Sequence, residues 1–171
     1  MILFKNILLA FLVSAFVIAC ADKEAPKSAE LKRPVVYDSF EEMEWIFNQQ
    51  NDTTYVINFW ATWCKPCVAE LPFFIELYNT YRGEKVKLIL VSLDFKKQIE
   101  NKLIPFIETH NLQPEVVVLA DPDANKWISK IAEEWSGSIP ATLVYNKNKR
   151  EFYEQSFESF EELNLIIKSN L

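Results

Sequence analysis

The stretch Asn58–Pro72, NFWATWCKPCVAELP, sets two cysteines, Cys64 and Cys67, between an apolar run and a helical pattern. The run leading in, TTYVINFW (53–60), reads as a buried strand. The pattern leading out, from about Cys64 to Tyr81, reads as a helix broken in register by Pro72. Cys64 then falls at the strand-to-helix turn and Cys67 one helical turn later, so both sulfurs share a face within reach of a disulfide. The unpaired N–H groups and dipole of a helix start favour negative charge, and Lys65 adds a nearby cation. Both influences lower a thiol pKa from about 8.5 towards about 7, which makes Cys64 the expected nucleophile and Cys67 the resolving thiol. Pro66 suits the first helical position, since its φ is fixed and its missing donor has no partner to lose there.

Around this centre the chain alternates helical and strand patterns. Ser39 is a plausible N-cap for an amphipathic helix with Phe40, Met43 and Phe47 on one face and Glu41 and Glu42 in its first turn. VKLILVSLDF (86–95) is continuously apolar, as strands covered on both faces are. Residues 96–110 are helical in pattern with an awkward Pro105, EVVVLA (115–120) is a third strand, and NKWISKIAEEW (125–135) is a helix. ATLVY (141–145) and REFYEQ (150–155) flank the turn NKNK as a hairpin, and Phe160, Leu163 and Ile167 mark a closing helix. The order αβαβαβαββα predicts an α/β fold: a mixed central sheet with helices on both faces, ending in a hairpin and a helix, over residues 35–171.

Composition narrows the function. The 171 residues, half hydrophobic and a quarter charged, suit one domain with a proper core plus short appendages. A net charge of −6, a pI near 4.9 and the lack of a basic stripe set nucleic acid aside as a partner. With only Gly83 and Gly137 in the chain, neither a GxGxxG turn nor a P-loop can be built. Residues 1–19 carry one early cation, Lys5, and an apolar stretch Ile7–Ala19 too short to span a bilayer comfortably. They read as a signal peptide, the alternative being an uncleaved anchor. VIAC, Val17–Cys20, resembles the lipobox of bacterial lipoproteins, which implies that Cys20 is lipid-modified and becomes the new N-terminus. The polar stretch up to Pro34 then makes residues 20–34 a lipidated, flexible tether.

Other roles for Cys64 and Cys67 fit less well. Zinc needs two further nitrogen or sulfur ligands, and the chain holds one histidine, His110, and no other thiol besides Cys20, so no metal is expected. A structural disulfide closing so small a loop constrains little of the unfolded chain. Cysteine-protease chemistry lacks a partner base, because His110 ends a helical pattern.

FWATWCKPC resembles the active site of the thioredoxin superfamily, and NFWATWCKPCVAELP with SGSIPATLVY resembles its TlpA/ResA-like branch of membrane-tethered, extracytoplasmic thiol-disulfide oxidoreductases. The resemblance implies a thioredoxin-like fold, a redox-active disulfide Cys64–Cys67, no organic cofactor, and a cis-proline loop at Ile139–Pro140 facing that disulfide. Asn58 departs from thioredoxins proper, which carry a buried aspartate there, whereas Glu70 matches the acidic residue of the branch motif CxxCxxE. A carboxylate there can accept the proton of Cys67 if burial raises its pKa; the alternative is a solvated helix residue. Pro72 matches the kink of the family's active-site helix, and Trp60 and Trp63 are expected to pack beside the disulfide as an apolar rim.

The partners implied are protein disulfide substrates, a membrane electron donor of the thioredoxin-reducing type, and the membrane holding the N-terminal anchor. The place implied is the outward face of a bacterial cell envelope. The resemblance favours a reductase; rivals are a disulfide-donating oxidant and a non-catalytic binding module of an envelope complex. Peroxide reduction is disfavoured, as no Pro-x-x-x-Thr-x-x-Cys pattern precedes Cys64.

Overall fold

Strand residues alternate between two cores, and this alternation explains the layering. Along the strand Val86–Ser92, Leu88 and Leu90 enter one hydrophobic cluster while Ile89 and Val91 enter the other. Both faces of the sheet are thereby covered, as the continuously apolar strands require. The computed structural model describes residues 33–171. The signal peptide expected over residues 1–19, the lipid modification expected at Cys20 and the expected tether as far as residue 32 lie outside the described residues.

In chain order the elements are β1 (Val35–Tyr37), α1 (Phe40–Met43), β2 (Thr54–Trp60), α2 (Lys65–Thr80), β3 (Val86–Ser92), α3 (Ile104–Thr109), β4 (Glu115–Leu119), α4 (Ala124–Ile131), β5 (Ala141–Tyr145), β6 (Arg150–Tyr153) and α5 (Phe160–Lys168). The sheet runs β1-β4-β3-β2-β5-β6. β1, β4, β3 and β2 are mutually parallel, β5 is antiparallel to β2, and β6 is antiparallel to β5. Residues of α2, α3 and α5 pack in one cluster with Val56, Leu90 and Val118; residues of α1 and α4 pack in the other with Ile57, Phe59 and Val117. The mixed sheet with helices on both faces, closed by a hairpin and a helix, is the architecture expected.

Four local readings change. β1 precedes the first helix, so the order is βαβαβαβαββα. With Val35 and Val36 exposed and only β4 as a neighbour, it carries no alternating signal. Ser39 holds the N-cap position of α1 but its side chain makes no cap bond; the Phe40 N–H donates instead to Asp121 Oδ2 at 3.0 Å. α1 itself is one turn, continued by a 3₁₀ turn over Glu44–Phe47. The pattern over 96–110 divides into a 3₁₀ turn (Lys96–Gln98), a π-helical turn (Ile99–Leu103) and α3, with Pro105 in the first turn of α3, where its missing N–H costs least. α4 ends at Ile131, short of the expected 135, and Trp135 follows as a buried side chain of the connecting loop.

Candidate active site

The site forms where β2 ends and α2 begins. Cys64 is the N-cap of α2, extended at φ −87° and ψ 100°, and its sulfur lies 3.3 Å from the Cys67 backbone nitrogen, which donates to it. A sulfur at the helix start thus meets one of the N–H groups that no helical carbonyl satisfies. Cys64 and Cys67 are joined as a disulfide with Cα atoms 5.3 Å apart. Both are buried, while Lys65 and Pro66 between them are exposed. α2 begins at Lys65, so Pro66 occupies its second position, still within the first turn where no donor is required.

Across the disulfide stands the loop before β5. The Ile139–Pro140 peptide bond is cis, and the Ile139 carbonyl oxygen lies 3.7 Å from Cys64 Sγ. This loop is held from two sides. Trp135 Nε1 donates to the Ser138 carbonyl at 2.8 Å. From the segment just after β6, the Glu154 carboxylate accepts the N–H groups of Ser136 at 3.0 Å and Ser138 at 3.1 Å, and the Ser136 hydroxyl. Between them Gly137 has φ +92°, in the left-handed region that favours glycine.

A second carboxylate fixes the loop entering the site. Asp94, buried just beyond β3, accepts the Thr62 N–H at 3.0 Å, the Thr62 hydroxyl and the Ser92 hydroxyl at 2.8 Å. Thr62 lies two residues before Cys64, so Asp94 ties the approach of the nucleophile to the neighbouring strand. Trp63, between them, is 52% exposed and stacks on Phe95, itself 59% exposed, at 6.3 Å between ring centroids. Trp60 does not join this rim. It points into the core from β2 and lies against Phe106, so the expected Trp60–Trp63 rim is instead Trp63 with Phe95.

Glu70 is not a solvated helix residue. It is 1% exposed, on the face of α2 that carries Cys67. Its Oε1 accepts from Asn58 Nδ2 at 2.9 Å and its Oε2 from the Phe157 N–H at 2.9 Å. Burial pushes the Glu70 carboxyl up to about 7; the two hydrogen bonds pull against that, and the charge of Glu162 on α5 adds to it. Asn58 Nδ2 also donates to Thr142 Oγ1 at 3.1 Å, across the β2–β5 register that pairs these two residues. Pro72 lies inside α2, and His110 is an exposed C-cap residue stacked on Phe106. Among the described residues, no three His, Cys, Asp or Glu side chains come together as a metal-binding group.

The fold therefore brings Cys64, Cys67, Trp63, Lys65, Pro66, Ile139 and Pro140 to one place and sets Glu70 behind the disulfide. Asp94, Glu154, Phe95 and Thr142 were not singled out by sequence reasoning. Each lies far along the chain from the cysteines: Asp94, Phe95 and Glu154 fall in stretches read only as strands, and Thr142 in SGSIPATLVY.

Comparison with known proteins agrees with this geometry. ResA, a thiol-disulfide oxidoreductase of Oceanobacillus iheyensis, is 43% identical over 49 residues, 29% of this chain and 26% of that protein. The ResA of Geobacillus kaustophilus is 33% identical over 93 residues, 54% of this chain and 48% of its own length. The alignments thus span about half, or less, of the curated relatives' length. Among solved structures, a DsbF homologue from Corynebacterium diphtheriae superposes with a TM-score of 0.57 at 20% identity, over 70% of this chain and 73% of that one. A thiol:disulfide interchange protein from Chlorobium tepidum also gives 0.57 at 20% identity, over 68% and 79%. These likenesses show the thioredoxin-like fold. The profile of the AhpC/TSA family matches residues 22–150, well over half the chain, and on that match and this fold the chain belongs to the AhpC/TSA family.

Proposed function

We propose that this protein is a thiol-disulfide oxidoreductase that reduces protein disulfides through Cys64 and Cys67. The carrying observation is the pair itself, joined at the start of α2, with Cys64 facing the cis-proline loop beneath an exposed aromatic rim. In the reduced enzyme the Cys64 thiolate attacks one sulfur of a substrate disulfide; a mixed disulfide forms and the other substrate sulfur leaves as a thiolate. Cys67 then attacks the Cys64 sulfur, closes the Cys64–Cys67 disulfide and releases the second substrate thiol. The substrate gains two electrons and the enzyme loses two.

Cys67 attacks as a thiolate, so its proton must leave. Glu70, buried on the same helical face and held near pKa 7, is the proposed acceptor. The backbone at Ile139, next to Cys64, and the Trp63–Phe95 rim are the proposed seat for the substrate chain. No cofactor takes part in this cycle. A membrane dithiol protein of the thioredoxin-reducing type restores the reduced enzyme, and the lipid on Cys20 and the tether hold the domain at the outer face of the membrane near that donor.

Insulin reduction with dithiothreitol as the reductant tests the reading. The wild type should accelerate precipitation of the insulin B chain, and Cys64→Ser should fall to the uncatalysed rate. A Cys64→Ser variant as fast as wild type contradicts catalysis by this pair. The disulfide-donating alternative predicts a reduction potential near the oxidising end of the range, about −120 mV, and the reductase reading one nearer −270 mV.

A further inference from the structure

The buried chain Glu70–Asn58–Thr142 has a proton-donor problem that its geometry also resolves. Both Glu70 oxygens face donors, Asn58 Nδ2 and the Phe157 N–H, an arrangement that suits the carboxylate and leaves a protonated Glu70 with nothing to donate to. Asn58 donates with both amide hydrogens, to Glu70 and to Thr142, while its own oxygen, fully buried, has no hydrogen-bond partner among the described residues. A buried amide oxygen left unpaired is costly, so an alternative that satisfies it is within reach.

We propose that the Asn58 side-chain amide is a two-state relay that turns over when Glu70 takes up a proton. With Glu70 ionised, Asn58 Nδ2 donates to Glu70 and to Thr142. With Glu70 protonated, the amide is rotated by half a turn. Asn58 Oδ1 then accepts the Glu70 O–H on one lone pair and the Thr142 O–H on the other, the Thr142 hydroxyl being able to accept in one state and donate in the other. The Nδ2 group takes the place that Oδ1 vacates, so the unpaired position passes from the oxygen to the amide N–H groups while the Glu70 O–H gains its acceptor. No atom has to move between elements, because Asn58 and Thr142 are directly paired in the β2–β5 register.

The inference rests on the reading of Glu70 as proton acceptor and adds the device that makes both of its protonation states tenable in the core. The proton balance is Cys67–SH with Glu70 carboxylate giving Cys67 thiolate with Glu70 carboxylic acid. The groups facing Glu70 are Asn58 on β2, the Phe157 N–H ahead of α5, and the charge of Glu162 on α5, which opposes ionisation; Cys67 lies three residues earlier on the same face of α2. Asn58 and Thr142 touch neither sulfur in this scheme; they are positioning residues.

The test is made on the full chain, labelled with carbon-13 and nitrogen-15, with the Glu70 carboxyl carbon followed from pH 5 to pH 9. The relay predicts a coupling through the hydrogen bond from Asn58 Nδ2 to the Glu70 carboxyl carbon at pH 9 that vanishes at pH 5, with a midpoint matching the Glu70 titration. The same coupling at both ends of the range overturns the relay. Asn58→Leu removes one of the two donors to the Glu70 carboxylate and should raise the proton affinity of Glu70 about tenfold or more. An unchanged midpoint in a folded Asn58→Leu protein also overturns it. The wild-type measurement decides the matter if that variant does not fold. Resolution kinetics of Glu70→Gln bear on the proton-acceptor reading alone, so the two failures are distinct.

Discussion

At the scale of single residues, Glu70 is where chemistry and stability meet. Its carboxyl has a pKa of about 7 in the folded chain against about 4.5 in the unfolded one, so between these values the native state binds more protons than the unfolded state. Stability therefore falls as pH rises from about 4.5 to about 7 and is level beyond, by an amount on the order of 3 kcal/mol. In Glu70→Gln that component should disappear, which urea titrations at pH 5 and pH 8 will show as a smaller difference between the two midpoints than in wild type. Equal differences contradict a buried, titrating Glu70. The same substitution should slow resolution of the mixed disulfide, roughly 10² to 10⁴ fold where proton transfer limits, while the first attack by Cys64 changes less. Glu70 was legible as a position because it matches the acidic residue of the CxxCxxE motif that the chain resembles, three residues after Cys67 on the same face of α2. Its burial was not, since that depends on Phe157 and Asn58 arriving from other elements.

Two carboxylates matter at the scale of elements. Asp94 joins β3 to the loop that delivers Cys64, and Glu154 joins the end of β6 to the cis-proline loop, so the two sides of the disulfide are pinned independently. Asp94→Ala leaves the Thr62 N–H and two hydroxyls without their acceptor; a loss on the order of 2 to 4 kcal/mol is expected from urea unfolding, with Asp94→Asn less affected. Glu154 is exposed, so Glu154→Ala should cost little stability and instead raise KM for a disulfide-containing polypeptide several-fold with kcat nearly kept. An unchanged KM contradicts a role for the clamp in seating substrate. Neither residue carried a sequence signal, for a carboxylate after a strand looks the same whether it faces water or a neighbouring loop. The central strands β2, β3, β4 and β5 were legible because strands buried on both faces are unbroken apolar runs. The edge strand β1 and the divided helical stretch 96–109 were not. A three-residue exposed strand has no period, and a π-helical turn ahead of Pro105 departs from the 3.6-residue repeat.

The molecule as a whole is argued to be a tethered exchange domain, and its parts make separate demands. If Cys20 carries the lipid, labelling with a fatty-acid analogue should mark the wild type and not Cys20→Ser, which should stay unprocessed or leave the membrane; an unlabelled wild type cleaved elsewhere contradicts the anchor. The fold follows from strand order and core alternation and would stand without any lipid. The exchange chemistry rests on an asymmetry between two thiols that share one helical turn: Cys64 caps α2 and faces the cis-proline loop, whereas Cys67 lies fully buried behind it. The direct measurement is capture of a disulfide substrate by single-cysteine variants of the full chain, resolved on non-reducing gels. Cys67→Ser should accumulate a mixed disulfide through Cys64 that dithiothreitol releases, and Cys64→Ser should accumulate none. Equal capture by both variants, or capture by Cys64→Ser alone, would contradict the assignment of Cys64 as the attacking thiol.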